Sequence, residues 1–258
     1  MKPKALIFFD LDGTLLNAKS DVDEEIIKAI QQLKNNNIVP FIATGRSNNE
    51  IKSILKKTTI HSTISLNGQN VTYEGKKIYS NFLSKEQVIS IKEEAEKKQI
   101  PLSFYTDDWI RVTEQTKDVK QFYDFLNSPL PEREPEVHLA EEINMLTLIT
   151  SNKQLDEFLK ESYSDLSIFR TTQFNLDIVG KNVSKATGID RLLSETGLDV
   201  VPTYAFGDGI NDLEMLQHVD YAIAMGNAVS ALKEQADYIT SSNIEDGIIR
   251  GLKYYDLI

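Results

Sequence analysis

Apolar runs and helical repeats alternate regularly in the first part of the chain. Ala5–Phe9 and Ile38–Ala43 are short, unbroken apolar runs, the pattern of strands that are buried on both faces of a parallel sheet. Between them, apolar residues recur at helical spacing from 26 to 33, and Ser20 and Asp21 are the predicted N-caps of that helix. The pattern therefore predicts a strand, a helix and a second strand in succession.

The alternation continues through one more helix and one more strand. Residues 47–57 are predicted as the helix and Thr63–Leu66 as the strand, so the predicted order is strand, helix, strand, helix, strand. That order requires parallel strands joined by right-handed crossovers. After it, Val71–Tyr73 and Lys77–Tyr79 flank a short turn and predict a hairpin.

Residues 82–180 follow a different pattern, in which strands and helices no longer alternate in the parallel-sheet order. A stretch of this length cannot be a structureless loop, because such connections rarely exceed roughly 15 residues. We therefore predict a separate α+β domain inserted into the first. Its predicted elements are a helix at 84–98, strands at 101–106 and 109–113, a helix at 117–127, a proline-rich loop, a strand at 144–150, a helix at 152–162 and strands at 166–171 and 174–179.

The α/β alternation returns in the last part of the chain. The predicted fold is therefore α/β, with a parallel-sheet core formed by residues 1–81 and 181–258 and interrupted by an α+β cap at 82–180. The predicted elements of the last part are helices at 184–196, 212–219, 228–235 and 247–255, and strands at 203–206, 221–224 and 238–239.

Composition narrows the classes of function. The 258 residues carry a net charge of −11 at pH 7, so nucleic acid is a poor partner. Cysteine is absent, which excludes disulfides, thiolate metal sites and cysteine nucleophiles and fits a reducing cytoplasm. No apolar run approaches membrane length. We expect a cytoplasmic protein without membrane partners, as a monomer or weak homodimer.

Polar clusters follow three of the predicted core strands. Ligands of open α/β sheets bind beyond the carboxyl ends of the strands, where clusters of this kind meet. The convergence predicts a single polar site at that edge. The three clusters are Asp10-Leu11-Asp12-Gly13-Thr14, Thr44-Gly45-Arg46 and Gly207-Asp208-Gly209-Ile210-Asn211-Asp212.

Four carboxylates are expected at this edge, those of Asp10, Asp12, Asp208 and Asp212. Like charges this close are unfavourable unless a cation joins them. With no cysteine and only three histidines, the ligands would be oxygen atoms. Mg²⁺ suits such a set, because it takes one or two carboxylates and completes its shell with waters and a substrate phosphate. We therefore expect Mg²⁺ as the cofactor.

The Asp-x-Asp-Gly-Thr string has its own chemical logic. The Asp10 carboxylate can attack phosphorus, and Asp12, two residues on, can protonate the leaving alcohol and later activate water. Gly13 lets the backbone turn so that amides approach a phosphate. Thr44 and Lys185 would supply the hydroxyl and the positive charge that a phosphate needs.

Simpler interpretations of the same residues stay open. Asp-Gly pairs often serve only as turns, and Thr14 can fix such a turn through its side chain. Asp208 and Asp212 could start or cap the following helix, because carboxylates suit helix N-termini. Arg46 could pair with a surface acid. The aromatic and charged residues at 105–111 could contact substrate or pack the core of the cap.

The motifs, taken in order, resemble those of a known family. Asp10–Thr14, Thr44–Arg46, Ser184-Lys185 and Gly207–Asp212 resemble the four motifs of the haloacid dehalogenase-like hydrolases. The position and element order of the insertion are similar to those of the Cof-type subgroup, with its type IIB α+β cap and Rossmann-like core. Ala186 departs from the Gly that many relatives carry after the motif lysine.

The resemblance implies a role for each motif residue. Asp10 would be the nucleophile, and Asp12 would be the general acid and base and would give its backbone carbonyl to the metal. The implied Mg²⁺ ligands are Asp10, Asp12, Asp208 and Asp212. The residues expected to bind phosphate or substrate are Leu11, Gly13, Thr44, Gly45, Lys185 and Asn211.

These observations favour a Mg²⁺-dependent phosphatase that acts on a small phosphorylated metabolite, such as a sugar phosphate, through an aspartyl-phosphate. A phosphomutase of the same family and a non-catalytic phosphometabolite sensor are the alternatives. The chain has no G-x-x-x-x-G-K-[ST] loop and no G-x-S-x-G string, which argues against a P-loop nucleotide hydrolase and a serine hydrolase.

Overall fold

The computed structural model describes residues 2–258 and divides into two compact units. The first unit contains the chain up to Arg46 together with Ile51–Tyr79 and Ser184–Ile258. The second unit contains Ser47–Glu50 and Ser80–Val183. Apart from Ser47–Glu50, the boundaries between the two units lie at 79/80 and 183/184. The sequence predicts these domain boundaries at 81/82 and 180/181. The inclusion of Ser47–Glu50 in the second unit was not predicted.

The first unit is built on an eight-stranded sheet. Counted in sheet order, the first five pairs of neighbouring strands are parallel, and the sixth pair is antiparallel. The parallel-sheet core predicted from the sequence is confirmed. In sheet order, the strands are β14 (Tyr238–Ile239), β13 (Tyr221–Ala224), β12 (Thr203–Gly207), β1 (Ala5–Phe9), β2 (Ile38–Ala43), β3 (Thr63–Ser65), β4 (Asn70–Tyr73) and β5 (Lys76–Ser80).

Six of the α-helices in residues 2–258 belong to the first unit. The strand β1 is buried along its whole length, because an unbroken apolar run suits a strand with a neighbour on each side and packing on both faces. Within residues 2–258, none of the helices is both long enough and apolar enough to cross a membrane. The helices of this unit are α1 (Glu24–Asn35), α2 (Lys52–Thr58), α6 (Lys185–Thr196), α7 (Leu213–His218), α8 (Ser230–Lys233) and α9 (Gly247–Tyr254).

Two helix starts differ from the sequence prediction. The helix α1 begins after Asp23, so Ser20 and Asp21 are not its N-caps, and Asp21 instead forms an ion pair with Lys57. The helix predicted at 47–57 begins only at Lys52. The preceding residues turn because the Glu50 carboxylate accepts hydrogen bonds from both the backbone N–H and the hydroxyl of Ser47.

The second unit is a six-stranded sheet with three α-helices. All its strand pairs are antiparallel except the last, β7 with β8. The short strand β8 lies in the stretch predicted as a proline-rich loop. In sheet order, the strands are β10 (Leu166–Thr172), β11 (Asn175–Gly180), β9 (Met145–Ile149), β6 (Leu102–Tyr105), β7 (Ile110–Val112) and β8 (Glu132–Arg133); the helices are α3 (Lys85–Lys97), α4 (Lys117–Phe125) and α5 (Gln154–Ser162).

The two faces of this second sheet differ in chemistry. Alternate residues of β6, β9 and β11 join the apolar core of the unit, as Phe104, Leu146 and Ile178 do. Among the residues between them, Ser103, Thr147, Asn175 and Asp177 are buried and polar. On that face, Asp177 accepts a hydrogen bond of 2.8 Å from the hydroxyl of Thr147. The inserted α+β domain predicted from the sequence is therefore present, and the second face of its sheet carries a buried group of polar residues.

Two of the residues at 105–111, Tyr105 and Arg111, make contacts inside this unit. The hydroxyl groups of Tyr105 and Tyr123 lie 3.0 Å apart in the buried interior. Arg111 forms ion pairs with Glu132 and Glu134 on the surface. These contacts favour the structural interpretation of Tyr105 and Arg111.

Candidate active site

The polar clusters predicted from the sequence lie at one edge of the first sheet. Asp10 directly follows β1, Thr44 directly follows β2, and Asp208 directly follows β12. These three strands are neighbours and run parallel, so their carboxyl ends lie side by side. The backbone N–H of Asp10 donates a hydrogen bond of 2.9 Å to the carbonyl of Phe206 in β12, which fixes the point where the chain leaves β1.

The loop after β1 turns sharply at Gly13, where φ is +88°. A Cβ at this position would lie 2.3 Å from an oxygen of Asp208, so the loop can approach Asp208 only with glycine there. The hydroxyl of Thr14 donates a hydrogen bond of 2.9 Å to the Asp208 carboxylate. This hydrogen bond connects the loop after β1 to Asp208, a contact that the sequence did not predict.

Three of the four predicted carboxylates form a cluster. Oxygen atoms of Asp10, Asp208 and Asp212 lie within 4.8 Å of one another. Asp10 and Asp212 are buried and Asp208 is partly buried. The side chain of Asp12 is exposed and forms an ion pair with Arg46. A role of Asp12 at the metal would therefore rest on its backbone carbonyl, as the resemblance implies.

Asp212 supports the loop after β12. One of its carboxylate oxygens accepts hydrogen bonds of 3.0 Å from the backbone N–H groups of Asp208 and Gly209. A Cβ at Gly207 would lie 2.7 Å from the side chain of Asp212, so the strand end must be glycine for the carboxylate to fold back. Asp212 thus holds the backbone around Asp208 and contributes charge to the cluster at the same time.

Lys185 neutralises part of this charge. Ser184 caps α6 through a capping box with Thr187, and this cap places Lys185 at the first helical position. The Lys185 ammonium is 1% exposed, forms an ion pair with Asp10 and donates a hydrogen bond of 2.6 Å to Asp212. Burial alone would lower the pKa of Lys185, but these two carboxylates outweigh it and hold the pKa above its ordinary value.

The cluster still carries more negative than positive charge. Burial raises the pKa of Asp10 well above its ordinary value, and the nearby Asp212 carboxylate raises it further against the effect of Lys185. Burial likewise raises the pKa of Asp208 to about 6, against the hydrogen bond from Thr14. Three carboxylates facing one ammonium at this spacing fit a divalent cation, and their hard oxygen atoms suit Mg²⁺.

The Thr44-Gly45-Arg46 segment is held by the turn that follows β3. The hydroxyl of the buried Thr44 accepts a hydrogen bond of 3.1 Å from the backbone N–H of Arg46. The backbone N–H groups of Leu66 and Asn67 donate to the carbonyls of Arg46 and Thr44. A Cβ at Gly45 would lie 3.1 Å from the Asn67 side chain, so Gly45 leaves room for that buried amide.

The same turn also reaches the start of α6. Leu66, Asn67 and Gly68 all have positive φ values, an unusual conformation for the leucine. A Cβ at Gly68 would lie 2.1 Å from the carbonyl oxygen of Ser184. The turn therefore packs closely against the residue before Lys185 while it binds the backbone after β2.

Asn227, which follows β13, was not singled out from the sequence. Its side-chain amide donates a hydrogen bond of 2.8 Å to the carbonyl of Gly13 and lies 3.4 Å from a carboxylate oxygen of Asp208. Its side-chain oxygen accepts from the backbone N–H of Asn243, whose own amide donates to the Leu16 carbonyl. Asn227 therefore connects the loop after β1 to the loop after β13 beside Asp208.

Two further predicted residues lie beside the cluster. The side chain of Leu11 is part of the apolar core, so any contact with phosphate would come from its backbone. The side chain of Asn211 lies next to Gly209, where a Cβ would be 2.5 Å from its oxygen. Asn211 is half-buried at the loop after β12.

Comparisons with known proteins agree with this arrangement. Residues 7–252 match the family model of the haloacid dehalogenase-like hydrolases. YkrA of Bacillus subtilis, which carries a provisional phosphatase name, is 34% identical over 254 residues, 98% of each chain. The 5-amino-6-(5-phospho-D-ribitylamino)uracil phosphatase YwtE of the same organism is 29% identical over 272 residues, 94% of each chain.

A solved structure supports the same assignment. The sugar phosphatase BT4131, described as a member of subclass IIB of this superfamily, superposes with a TM-score of 0.86 at 30% identity, covering 98% of this chain and 99% of that one. The resemblance drawn from the four motifs and the inserted cap is confirmed. The chain belongs to the haloacid dehalogenase-like hydrolases and is a hydrolase of the phosphatase type.

Proposed function

We propose that the protein is a Mg²⁺-dependent phosphatase that hydrolyses a small phosphate monoester through an aspartyl-phosphate on Asp10. The observation that carries the proposal is the buried contact between Asp10 and Lys185 beside Asp208 and Asp212, at the carboxyl ends of β1 and β12. A carboxylate is a weak nucleophile, and a neighbouring ammonium offsets the repulsion between it and an incoming phosphate.

The proposed bond changes use the two aspartates after β1. A carboxylate oxygen of Asp10 forms a bond to phosphorus while the bond from phosphorus to the alcohol oxygen breaks. The departing oxygen takes a proton from the Asp12 carboxyl group. A water molecule then attacks the phosphorus of the aspartyl-phosphate and gives a proton back to Asp12, which releases inorganic phosphate and restores the Asp10 carboxylate.

The surrounding residues would position the phosphate. Lys185 balances its negative charge, and the backbone at Leu11 and Gly13 together with Thr44 and Gly45 would line the phosphate site. When bound by Asp10, Asp208, Asp212 and the carbonyl of Asp12, Mg²⁺ would supply positive charge that offsets the charge of the phosphoryl group. Asn211 would support the phosphate or the metal shell from the loop after β12.

For the substrate we propose a phosphate monoester of a polyhydroxylated carbon chain. Two relatives that carry specific names act on compounds of this kind, a sugar phosphate for BT4131 and a phosphoribitylamino compound for YwtE. The cytoplasmic location and the monomeric or weakly dimeric state expected from the sequence remain predictions.

The test is phosphate release from a panel of sugar phosphates, sugar-alcohol phosphates, nucleotides and cofactor phosphates, measured with Mg²⁺ and with EDTA. Asp10→Asn should fold and lose turnover, while Asp199→Asn, at an exposed position of the same unit, should retain it. Release that persists in EDTA or in Asp10→Asn would refute the proposed chemistry. A strict requirement for a bisphosphate activator would instead indicate a mutase.

A further inference from the structure

Arg46 holds the side chain of Asp12 through both carboxylate oxygens. Its Nε atom donates a hydrogen bond of 2.9 Å to Oδ2 of Asp12, and its Nη2 atom contacts Oδ1. Two parallel N–H donors on one carboxylate form a planar fork, the ion-pair geometry that restricts orientation most strongly. The contact joins the loop after β1 to the loop after β2, which are neighbours in the sheet.

The arginine is the fixed partner of this pair. Its side chain is 14% exposed, whereas that of Asp12 is 54% exposed. The backbone of Arg46 is held on both sides, since its N–H donates to the hydroxyl of Thr44 and its carbonyl accepts from Leu66. A half-exposed carboxylate in contact with an anchored guanidinium takes its orientation from the guanidinium.

An ion pair of this exposure contributes little to the free energy of folding, because solvent screens the charges. The position of the ion pair indicates its role better than its strength does. Asp12 is the only one of the four predicted carboxylates whose side chain is outside the Asp10, Asp208 and Asp212 cluster, and Arg46 is the residue that holds it apart. The geometry therefore orients a carboxylate rather than stabilising the fold.

We propose that Arg46 is a positioning residue for Asp12, and this proposal rests on the phosphatase function proposed above. Each Asp12 oxygen accepts one hydrogen bond from the guanidinium and keeps a second lone pair free. One oxygen can therefore carry the proton for the leaving alcohol while the contact with Arg46 keeps the carboxyl group beside the leaving oxygen. The proton that the alcohol takes from Asp12 is returned by the attacking water, so the pair is restored after each turnover.

A positioning role for the general acid predicts a dependence on the leaving group. An alkoxide departs only with a proton, whereas p-nitrophenolate is a stable anion and departs without one. The ratio kcat/KM covers the steps up to departure of the alcohol. Arg46→Gln should lower kcat/KM for the best alkyl phosphate of the panel by about 10- to 100-fold, the size of effect expected from a misplaced catalytic group. For p-nitrophenyl phosphate, kcat/KM should change less than about 3-fold.

Two further variants make the test specific. Arg46→Lys keeps the charge but loses the fork, so it should show the same selective loss at a smaller magnitude. Arg250→Gln removes an equal charge from the exposed surface of α9 and should leave both substrates unaffected. Equal losses on the two substrates, or no loss on either, in correctly folded Arg46→Gln or Arg46→Lys would overturn the positioning role. Release of phosphate by Asp10→Asn would instead overturn the aspartyl-phosphate chemistry on which this proposal rests, and no release by the wild type from any compound of the panel would overturn the phosphatase function itself.

Discussion

The ammonium of Lys185 lies 2.6 Å from the carboxylate of Asp212 and also contacts Asp10, with all three side chains buried. The helix α6 thus places the ammonium group of Lys185 between two loops that each contribute acidic residues. This relationship makes the charge balance of the site measurable through stability as well as through activity.

Replacing Lys185 by methionine should destabilise the metal-free protein strongly. The change leaves buried carboxylates without their counter-charge, a loss of about 3–5 kcal/mol for a broken buried pair. Thermal unfolding in EDTA should show a clear fall in Tm, and Mg²⁺ should restore part of it. Lys253→Met, at an exposed position on α9, is the matched control. An unchanged Tm in EDTA would mean that the buried ion pairs do not stabilise the site as described.

Mg²⁺ should stabilise the folded protein, and this stabilisation should depend on Asp208. A ligand present at about 100 times its Kd adds roughly 2.7 kcal/mol to the free energy of unfolding when it binds only the folded state. Asp208→Asn removes a carboxylate from the cluster and should remove most of the Mg²⁺-induced rise in Tm. Asp199→Asn should retain the full rise. If Asp208→Asn retains it as well, the cation binds elsewhere.

Gly13→Ala should abolish activity, whereas Gly75→Ala should not. Both glycines have positive φ, so alanine costs each a similar backbone strain of about 1 kcal/mol. A Cβ at Gly13 would collide with Asp208, but at Gly75 it would meet nothing within 4 Å. Phosphate release and the Mg²⁺-induced rise in Tm, measured for both variants, separate the effect of backbone strain from the effect of displacing Asp208. Similar activity in the two variants would show that the close approach to Asp208 is not required.

The second unit should lose stability in mild acid because of His138. Its ring stacks on Phe104 with centroids 5.4 Å apart, and burial, assisted by the nearby Lys92 ammonium, lowers its pKa below 6.5. The unfolded chain therefore binds a proton more readily than the folded one, so stability is present above pH 6.5 and decreases as the pH falls below it.

Unfolding free energies measured from pH 8 to pH 5 test this dependence. His138→Phe should show a smaller decrease in acid than the wild type, because it has no ring to protonate. His61→Gln, at an exposed position, should follow the wild-type curve. Parallel curves for His138→Phe and the wild type would exclude the buried imidazole as the cause.

The core of the fold was predictable because its signal is local. An unbroken apolar run such as Ala5–Phe9 has few alternatives to a buried strand, and the alternation of such runs with helices determines a parallel sheet. The convergence of Asp10 and Asp208 then follows from topology, since adjacent parallel strands end at the same edge. The start of α2 was not predictable, because it depends on the Ser47–Glu50 hydrogen bonds rather than on apolar spacing.

The parts of the site that were missed depend on side-chain directions. The sequence left Arg46 without an identified partner, because nothing in its spacing from Asp12 shows that the guanidinium lies across two neighbouring strand ends. Asn227 donates a hydrogen bond to the carbonyl of Gly13, 214 positions away in the chain. Because every residue has a backbone carbonyl, the sequence does not indicate which one accepts this bond. Contacts of this kind can be identified only from a three-dimensional structure.

If the proposed mechanism is correct, Asp10 carries the phosphoryl group during turnover. The most direct measurement is acid quenching of the enzyme within a single turnover of ³²P-labelled substrate, followed by hydroxylamine treatment and peptide mapping. We expect a hydroxylamine-sensitive label on the peptide that contains Asp10, and no label in Asp10→Asn. Turnover with no covalent label, or a label on a different residue, would contradict it.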